Sequence, residues 1–262
     1  MKISIITVNR NNNQGLMKTL QSVKMQSYKD YELIIVDGAS SDQSIDTIKE
    51  YSENSPSTKY VSEKDTGIYN AMNKGINLSM GEYLIFMNSG DSFFDKDSLQ
   101  NSVIYLNGMV DIVSGIAISD KYVMNPVTPD QLSLSFFLKS SMNHQSTFIK
   151  SSLMKKYYYN EKYKIVSDTE FFFKAMILGN CTYRDISVKV CYCEQEGVSR
   201  DIKKSLAERY MAIKALLPER MEDDIDFIIK YNNPILRKIG DILYRDFFRI
   251  LYDKIVRRGG RI

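Results

Sequence analysis

Short apolar runs rich in β-branched residues alternate with amphipathic segments over the first 105 residues of the chain. The runs cover residues 3–8, 31–36 and 82–87, with a weaker run at 59–62. Runs of this length without polar alternation are typical of strands that are buried on both faces. The intervening segments carry apolar residues at helical spacing: Leu16, Leu20, Val23 and Met25, then Ile45, Ile48 and Tyr51, then residues 68–78. This alternation predicts a doubly wound, mostly parallel α/β sheet.

The pattern changes beyond residue 110. Further strands are predicted at 112–118, 145–149 and 182–190, and a helix at 169–178. Residues 201–262 are predicted to be mainly helical, with breaks at Pro218 and Pro234. A chain of 262 residues with this pattern favours one large α/β domain with a helical extension over two equal domains.

Polar side chains follow the predicted strands of the first half, at the point where each strand ends. They are Asn9, Asp37, residues 63–65 and residues 88–91. In open α/β sheets, ligands bind beyond the carboxyl ends of the strands. We therefore expect a ligand site at this edge of the sheet.

The turn Asn88-Ser89-Gly90-Asp91 leaves an apolar strand. A carboxylate at a strand end can hold a hard divalent cation through oxygen, and such a cation would neutralise a diphosphate leaving group. The same four residue types also form ordinary solvated turns. The other polar strand ends favour the metal site, with Asp91 as the ligand.

Asp37 ends the second apolar run. A carboxylate at this point can accept hydrogen bonds from a nucleobase or a ribose. A role in the turn is the alternative for Asp37, whereas Ser41 and Asp42 are interpreted as caps of the helix that follows.

Residues 63–76 place acidic and amide groups at the start of a helix, whose N-terminus can face a phosphate. The glycine spacing excludes a Walker loop. The loop Asn9–Asn13 contains no glycine cluster, which excludes a dinucleotide-binding fingerprint.

Asp168 and Glu170 lie at the start of a strongly apolar helix. One interpretation is a helix cap at Ser167 or Asp168. The other is a general base at the mouth of the site. The two interpretations are compatible, because one residue can do both.

Taken in this order, the motifs resemble the family 2 glycosyltransferases, and most closely the branch that includes colanic-acid-type transferases. They are Ile5-Ile6-Thr7, Val36-Asp37-Gly38, the segment from Asp65 through Gly67-Ile68-Tyr69 to Asn73-Lys74-Gly75, residues 88–91, and Ser167-Asp168 with Glu170. The resemblance covers roughly residues 1–200. It implies the GT-A fold, a Rossmann-like, mostly parallel sheet flanked by helices. It also implies a nucleotide-sugar-binding half (1–105), an acceptor half (106–200) and a helical C-terminal extension (201–262).

The activity that the resemblance implies is inverting transfer of a hexose or N-acetylhexosamine from a nucleotide-diphosphate sugar, UDP-linked, with Mn or Mg as cofactor. The implied acceptor is a hydroxyl of a growing, lipid-linked bacterial surface polysaccharide. Asp168 is then the catalytic base and Asp91 the metal ligand. The implied donor-binding residues are Thr7, Asn9, Asp37, Asp65, Asn73, Asn88, Ser89 and Ser199, the last in a Gly-x-Ser loop near the diphosphate. The implied acceptor-side residues are His144, Gln145 and Glu170.

Two positions depart from the family pattern. Asn88 and Gly90 stand where most members carry acidic residues, so the metal would depend on Asp91, diphosphate oxygens and water. Met72 stands where many members carry an arginine that contacts phosphate, and Lys74 or Arg200 could take its place.

The overall composition excludes several classes of protein. The formal charge of +3 is too small to indicate nucleic-acid binding. No window of about 18 uncharged apolar residues predicts a membrane-spanning helix. The three cysteines match neither a zinc site nor a disulfide framework. We interpret them as reduced thiols half-buried on strands, and we expect a cytoplasmic protein.

The C-terminal segment combines apolar residues at helical spacing with basic ones. The apolar residues are Ile235, Leu236, Ile239, Ile242, Leu243, Phe247, Ile250 and Leu251, and the basic ones are Arg237, Lys238, Arg245, Arg249, Lys254, Arg257 and Arg258. One interpretation is a helix that packs on the catalytic domain. The other is a helix on the inner face of the cytoplasmic membrane, bound to anionic lipid. A lipid-linked acceptor favours the second, and homo-oligomerisation stays open.

Two other functions compete with the glycosyltransferase. A nucleotidyltransferase should carry a glycine-rich, basic loop after the first strand, and this chain does not. A non-catalytic nucleotide-sugar-binding domain would not need Asp168.

Overall fold

The computed structural model describes residues 2–193 and 202–231. In its first half, strands and helices alternate as predicted. They are β1 (Ile3–Asn9), α1 (Asn13–Lys24), β2 (Tyr31–Asp37), α2 (Ser44–Glu53), β3 (Thr58–Ser62), α3 (Ile68–Leu78) and β4 (Tyr83–Phe86). The predicted doubly wound α/β arrangement of this half is therefore confirmed.

Shorter elements dominate the second half. They are β5 (Ser92–Phe93), α4 (Ser98–Val103), β6 (Ile112–Ile118), β7 (Val123–Met124), α5 (Leu134–Lys139), β8 (Thr147–Lys150), α6 (Ser151–Tyr157), α7 (Ser167–Phe173), β9 (Tyr183–Tyr192), α8 (Ile202–Lys214) and α9 (Glu222–Tyr231). The helix predicted at 169–178 is present, but its second part, Lys174–Leu178, is a π-helix. The predicted break at Pro218 separates α8 from α9.

The strands of the described residues form one mixed sheet in the order β3-β2-β1-β4-β8-β6-β9-β5, with β7 paired to β6. The first four of these strands are parallel to one another. Strand β8 is antiparallel to both of its neighbours, whereas β6 and β9 run parallel. The parallel part is thus the half that carries the polar strand ends.

Helices cover both faces of the parallel part. On one face, α1 buries Leu16, Leu20 and Val23 against alternate residues of β1 and β2. On the other face, α3 approaches β1 so closely that a Cβ at Gly75 would lie 2.5 Å from a methyl carbon of Ile6. Met25, which we had placed on the apolar face of α1, is instead 57% exposed just beyond the end of that helix.

Two of the cysteines are more deeply enclosed than predicted. Cys191 lies fully buried in β9, and Cys193 is also buried directly after the strand ends. Cys181 is partly exposed and precedes β9. All three are free thiols.

Residue contacts divide the chain into two compact units, Met1–Ile213 and Lys214–Ile262. The first unit extends beyond residue 200 and includes all of α8 except its last residue. The functional division that we predicted at residue 200 stays a prediction. The residues predicted as a basic helix, 235–258, and the loop with Ser199 and Arg200 lie outside the described residues. Among the described helices, none is both long and apolar enough to cross a bilayer.

Candidate active site

The carboxyl ends of the three neighbouring strands β1, β2 and β3 bring their polar residues side by side. In the parallel register Asn9 pairs with Asp37, and Asp37 pairs with Ser62. The amide of Asn9 donates to Asp37 and to Ser40. Its Oδ1 and the Thr7 hydroxyl are buried and have no hydrogen-bond partner in the part of the chain that the structure describes. These two oxygens therefore keep unused hydrogen-bonding capacity near the end of β1, although both are enclosed.

Asp37 is fully buried, and both of its carboxylate oxygens are used by the protein. Oδ1 accepts from the Asn9 amide and the Ser40 hydroxyl, and Oδ2 accepts from the Ser40 N–H and the Ser62 hydroxyl, at 2.5 to 2.9 Å. A carboxylate has about four lone-pair positions, and all are filled. The geometry therefore favours the turn role over direct contact with a nucleoside, which stays a prediction.

These contacts also change the ionisation of Asp37. Burial raises the pKa of Asp37, but hydrogen bonds from Ser40, Ser62 and Asn9 together outweigh it and lower the pKa below its ordinary value. The resulting stabilisation of the fold is fully present above the pKa of an unfolded aspartate. It is lost as the pH falls through the lower folded value.

Asp65 lies next to the loop that Asp37 holds. Its Oδ1 accepts the N–H of Gly67, and Arg10 approaches the same oxygen at 4.0 Å. Its Oδ2 fills the space where a side chain of residue 38 would begin, because a Cβ on Gly38 would lie only 2.3 Å from it. At the carboxyl end of β2, the Asp65 carboxylate thus occupies the space beside Gly38, whereas the Asp37 carboxylate is buried.

The Asn88–Asp91 turn is fixed by α1 from below. The Thr19 hydroxyl, fully buried, lies 2.6 Å from the Asp91 carbonyl oxygen and accepts the Gly90 N–H at 3.1 Å. Asn12 donates to the Ser89 carbonyl, and the Ser89 hydroxyl donates back to the Asn12 carbonyl. Asp91 itself is 4% exposed. The turn is therefore rigidly placed before any ligand arrives.

Gly90 explains one departure from the family pattern. Its φ of +107° is a conformation that side-chain-bearing residues rarely adopt. An acidic residue at position 90 would be strained in this turn. The Oδ1 of Asn88 is buried and has no hydrogen-bond partner among the described residues, so this amide oxygen is available as a second hard donor.

This turn can supply part of a cation site but not a whole one. Across residues 2–193 and 202–231, no three His, Cys, Asp or Glu side chains cluster closely enough to hold a metal ion. The oxygen donors of Asp91 and Asn88 suit Mg²⁺ or Mn²⁺. The remaining ligands would have to come from a bound diphosphate and water.

Replacing Thr19 with valine tests how the turn is placed. Valine has nearly the same shape but leaves the Gly90 N–H and the Asp91 carbonyl without their buried partner. We expect Thr19→Val to lower the free energy of unfolding by about 1–3 kcal/mol and to weaken Mn²⁺-dependent binding of UDP. Denaturant unfolding and calorimetry measure both. Thr19→Ser, which keeps the hydroxyl, is the control, and a Thr19→Val protein that matches wild type in both measurements would contradict this account.

Asp168 lies in the first turn of α7, in contact with two distant segments. Its Oδ1 accepts the Thr169 N–H and lies 3.3 Å from the Tyr69 hydroxyl at the start of α3. Its Oδ2 lies 3.2 Å from Nδ1 of His144, on the 3₁₀ turn His144–Ser146. The Asp168 side chain remains 15% exposed. A carboxylate that is both held in place and open to solvent is what a general base requires.

Aromatic residues form the floor beneath this carboxylate. Tyr159 is buried against Tyr69 and Phe86, and Phe86 meets His144 edge-on. Burial raises the pKa of Tyr69 and of Tyr159 well above the ordinary value, and the charge of Asp168 raises both further. The Tyr69 hydroxyl therefore stays protonated. Its single proton has two acceptors in reach, the Ile165 carbonyl at 2.7 Å and Oδ1 of Asp168 at 3.3 Å, and the shorter bond is to Ile165.

Asn73 has a different position from the one expected. Its side-chain amide donates to the Tyr159 carbonyl and to Glu161, and its Oδ1 accepts the Tyr159 N–H. These bonds tie α3 to the loop after α6. These hydrogen bonds argue against the predicted contact of Asn73 with the donor, because Asn73 would have to break them to reach it.

Of the two residues expected to cap α7, only Asp168 binds a backbone N–H of the first turn. The helix begins at Ser167 after Val166, and the N-cap residue Val166 has no side chain that could cap it. The Ser167 hydroxyl has no partner among the described residues, whereas Asp168 accepts the Thr169 N–H from within the first turn. Glu170 is buried rather than open at the acceptor side, with Oε1 bound to Asn160 and Lys174. Its role in orienting the loop is compatible with these contacts. Gln145 is half-buried on the same turn as His144.

Lys74, one of the two expected replacements for the missing arginine, is engaged elsewhere in the fold. Met72 is buried at 1% exposure, so position 72 faces the interior of the fold. Lys74 donates to the Lys64 carbonyl and pairs with Glu63. Arg200 lies outside the described residues. No sequence pattern identifies Arg209 on α8, a half-buried cation whose pKa is lowered by burial and raised by the charge of Asp168.

Comparisons with known proteins agree with this geometry. The chain matches the family described as Glycosyl transferase family 2 over residues 4–178. An uncharacterized glycosyltransferase of Mycobacterium tuberculosis, Rv1514c, is 33% identical over 204 residues, which cover 75% of this chain and 76% of the relative.

Two solved structures share the fold. S. aureus TarS 1-349 in complex with UDP-GlcNAc superposes with a TM-score of 0.63 at 20% identity, over 86% of this chain and 70% of TarS. The mannosyltransferase PcManGT from Pyrobaculum calidifontis in complex with GDP-Man and Mn²⁺ gives a TM-score of 0.63 at 16% identity, over 88% of this chain and 69% of that protein. The predicted GT-A fold is confirmed, and the nucleotidyltransferase and the non-catalytic binding domain are set aside. This chain is a glycosyltransferase and belongs to glycosyl transferase family 2.

Proposed function

We propose that this glycosyltransferase transfers a hexose or N-acetylhexosamine from a UDP-linked donor, with inversion at the anomeric carbon. The proposed acceptor is a hydroxyl of a growing, lipid-linked bacterial surface polysaccharide. The observation that carries the proposal is the Asp168 carboxylate, held by Tyr69, Thr169 and His144 yet open to solvent. The UDP-GlcNAc bound by TarS supports the choice of donor.

In the proposed reaction, Asp168 accepts the proton of the acceptor hydroxyl while the hydroxyl oxygen bonds to the anomeric carbon of the donor sugar. The bond from that carbon to the diphosphate breaks on the opposite face, and the leaving group carries away the electron pair. The Thr169 N–H, at 2.7 Å from Oδ1, keeps the carboxylate oriented during the transfer. One carboxylate suffices for such a direct displacement, whereas retention by double displacement would need a second nucleophile at the anomeric carbon.

At the donor end, we propose that Asn9, Asp65 and the Thr7 hydroxyl bind the nucleoside, and that Asp37 acts by holding the loop at Ser40. The unpartnered oxygens of Asn9 and Thr7 and the position of Asp65 beside Gly38 support this arrangement. Ser89 and Ser199 remain proposed contacts of the diphosphate. A divalent cation at Asp91 and Asn88 would neutralise the diphosphate when bound.

The donor class is tested by offering the full-length protein a panel of UDP-, GDP- and dTDP-sugars, with Mn²⁺ and with excess EDTA. We expect slow, metal-dependent hydrolysis of a UDP-hexose or UDP-N-acetylhexosamine. NMR of a product formed on a simple saccharide acceptor then gives the anomeric configuration. Turnover of GDP-sugars alone would refute uracil as the nucleobase of the donor. A product with retained anomeric configuration would refute the inverting mechanism.

Substitutions at Asp65 and Asp37 separate nucleoside binding from loop stability. We expect Asp65→Asn to weaken UDP binding on the order of tenfold, which corresponds to loss of a hydrogen bond to a charged group, with little change in unfolding. Asp37→Asn should lower the free energy of unfolding more than it weakens UDP binding, because four internal hydrogen bonds depend on it. Calorimetry and denaturant unfolding of both variants provide the comparison, and the reverse order of effects would restore Asp37 as the nucleoside contact.

The basic segment beyond the described residues is proposed to bind anionic membrane. Replacing Arg245, Arg249 and Lys254 with glutamine should reduce co-sedimentation with phosphatidylglycerol vesicles, and salt should weaken the binding of the wild-type protein. Replacing three exposed lysines of the catalytic domain, Lys49, Lys203 and Lys204, provides the control. Equal co-sedimentation of both variants would favour a helix that only packs on the catalytic domain.

A further inference from the structure

Helix α8 is fastened to the backbone segment that leads into Asp168. The Glu208 carboxylate on this helix accepts the three consecutive backbone N–H groups of residues 164–166, at 2.7 to 3.1 Å. A carboxylate offers several acceptor positions and no donor, so it suits three N–H groups that point to one place. One turn further along α8, Ala212 is fully buried in a small apolar cluster with Val166. The helix and the segment are thus joined by polar and apolar contacts.

The carbonyl groups of the same segment bind the two helices on which the candidate base depends. The Ile165 carbonyl accepts the Tyr69 hydroxyl of α3 at 2.7 Å. The Val166 carbonyl accepts the Glu170 N–H at 3.0 Å, which closes the first turn of α7. Asp168 lies in that turn, two residues beyond Val166. The place where α7 starts, and with it the position of the Asp168 carboxylate, therefore depends on where residues 164–166 lie.

The contacts of Asp168 itself do not replace this support. The Thr169 N–H and Nδ1 of His144 orient the side chain of Asp168, but they do not fix the backbone that precedes it. Val166 is 1% exposed, so without Glu208 its N–H would either stay buried without an acceptor or force the segment to move. A displacement of about 1 Å can cost an enzyme on the order of a hundredfold in rate.

We propose that Glu208 is a positioning residue of this glycosyltransferase, which holds residues 164–166 so that Asp168 meets the acceptor hydroxyl. The inference rests on the proposed role of Asp168 as the base. It assigns α8 to the support of the active site, although the sequence resemblance placed that helix in the C-terminal extension.

The first test compares Glu208→Ala with Glu208→Gln. In Glu208→Ala, kcat should fall by about ten- to a hundredfold, whereas the affinity for UDP should stay at the wild-type value. Glu208→Gln should recover part of the rate, because its amide oxygen can still accept from Ile165 and Val166, which share one carboxylate oxygen in the wild-type protein. Lys203→Ala, at an exposed position of the same helix, is the control and should match wild type.

A double variant shows whether Glu208 acts through Asp168. Two residues that act as a unit have effects that do not multiply. Adding Glu208→Ala to Asp168→Asn should therefore lower kcat little further. A full additional loss in the double variant would mean that Glu208 acts independently of the base, and it would overturn the inference.

Hydrogen exchange measures the positioning without any substrate. The amides of residues 164–166 should exchange faster in Glu208→Ala than in wild type or in Lys203→Ala. Faster exchange with an unchanged kcat would make Glu208 a purely structural residue, which overturns the inference and leaves Asp168 as the base. An undiminished rate in Asp168→Asn is the separate outcome that refutes the proposed base, and the role of Glu208 falls with it.

Discussion

Asp168→Asn is expected to retain UDP binding and to lose most glycosyl transfer, with kcat reduced by about a hundred- to ten-thousand-fold. Asparagine preserves the shape of the side chain and can still accept from Thr169. It cannot take up the proton of an acceptor hydroxyl at neutral pH. Steady-state transfer assays and calorimetry with UDP separate the loss of the base from a loss of donor binding.

Glu170→Gln provides the comparison for this experiment, because Glu170 lies two residues away on the same helix and is bound to Lys174. We expect Glu170→Gln to affect stability more than transfer. A near wild-type rate in Asp168→Asn together with inactivity of Glu170→Gln would show that the base has been assigned to the wrong carboxylate.

Asp91→Ala is expected to abolish turnover and to remove the dependence of UDP binding on Mn²⁺. The turn offers a single carboxylate, since Gly90 must adopt a positive φ and Asn88 is neutral. No other described acidic side chain on this turn could replace it. Calorimetric titration of Mn²⁺ and UDP together, rather than of either alone, measures this effect.

Two controls belong to the Asp91 experiment. Wild-type protein in excess EDTA should behave like Asp91→Ala, whereas Glu50→Ala, on the exposed side of α2, should behave like wild type. Full activity of Asp91→Ala, or of wild type in EDTA, would exclude a metal role for this residue.

The parallel half of the fold could be predicted from the sequence because its signals are local. Continuous apolar runs locate β1, β2 and β4, and the helical spacing of residues 68–78 gives α3 with its observed bounds. The antiparallel strands β5 and β7 were missed, because two residues carry too little periodicity to be recognised. Their pairing depends on contacts made across the sheet.

The candidate site could be predicted only where the chemistry of a residue and its place at the end of an element indicate its role. The carboxylates of Asp91 and Asp168 were found as acids at element ends. The hydrogen bonds that fill the acceptor positions of Asp37 include one from Ser62, which is 25 residues away in sequence. Likewise, the hydrogen bonds from residues 164–166 to Glu208 form only when α8 packs against this segment. No local pattern encodes such contacts.

The close approach of Asp65 to Gly38 restricts how related sequences can vary. A Cβ at position 38 would lie 2.3 Å from Oδ2 of Asp65, so any larger residue there requires the Asp65 carboxylate to move from its observed place. The position of the carboxylate at this end of β2 is thus coupled to the absence of a side chain at residue 38. Among homologues we therefore expect the two positions to covary, with an acidic residue at 38 accompanied by a smaller or neutral residue at 65.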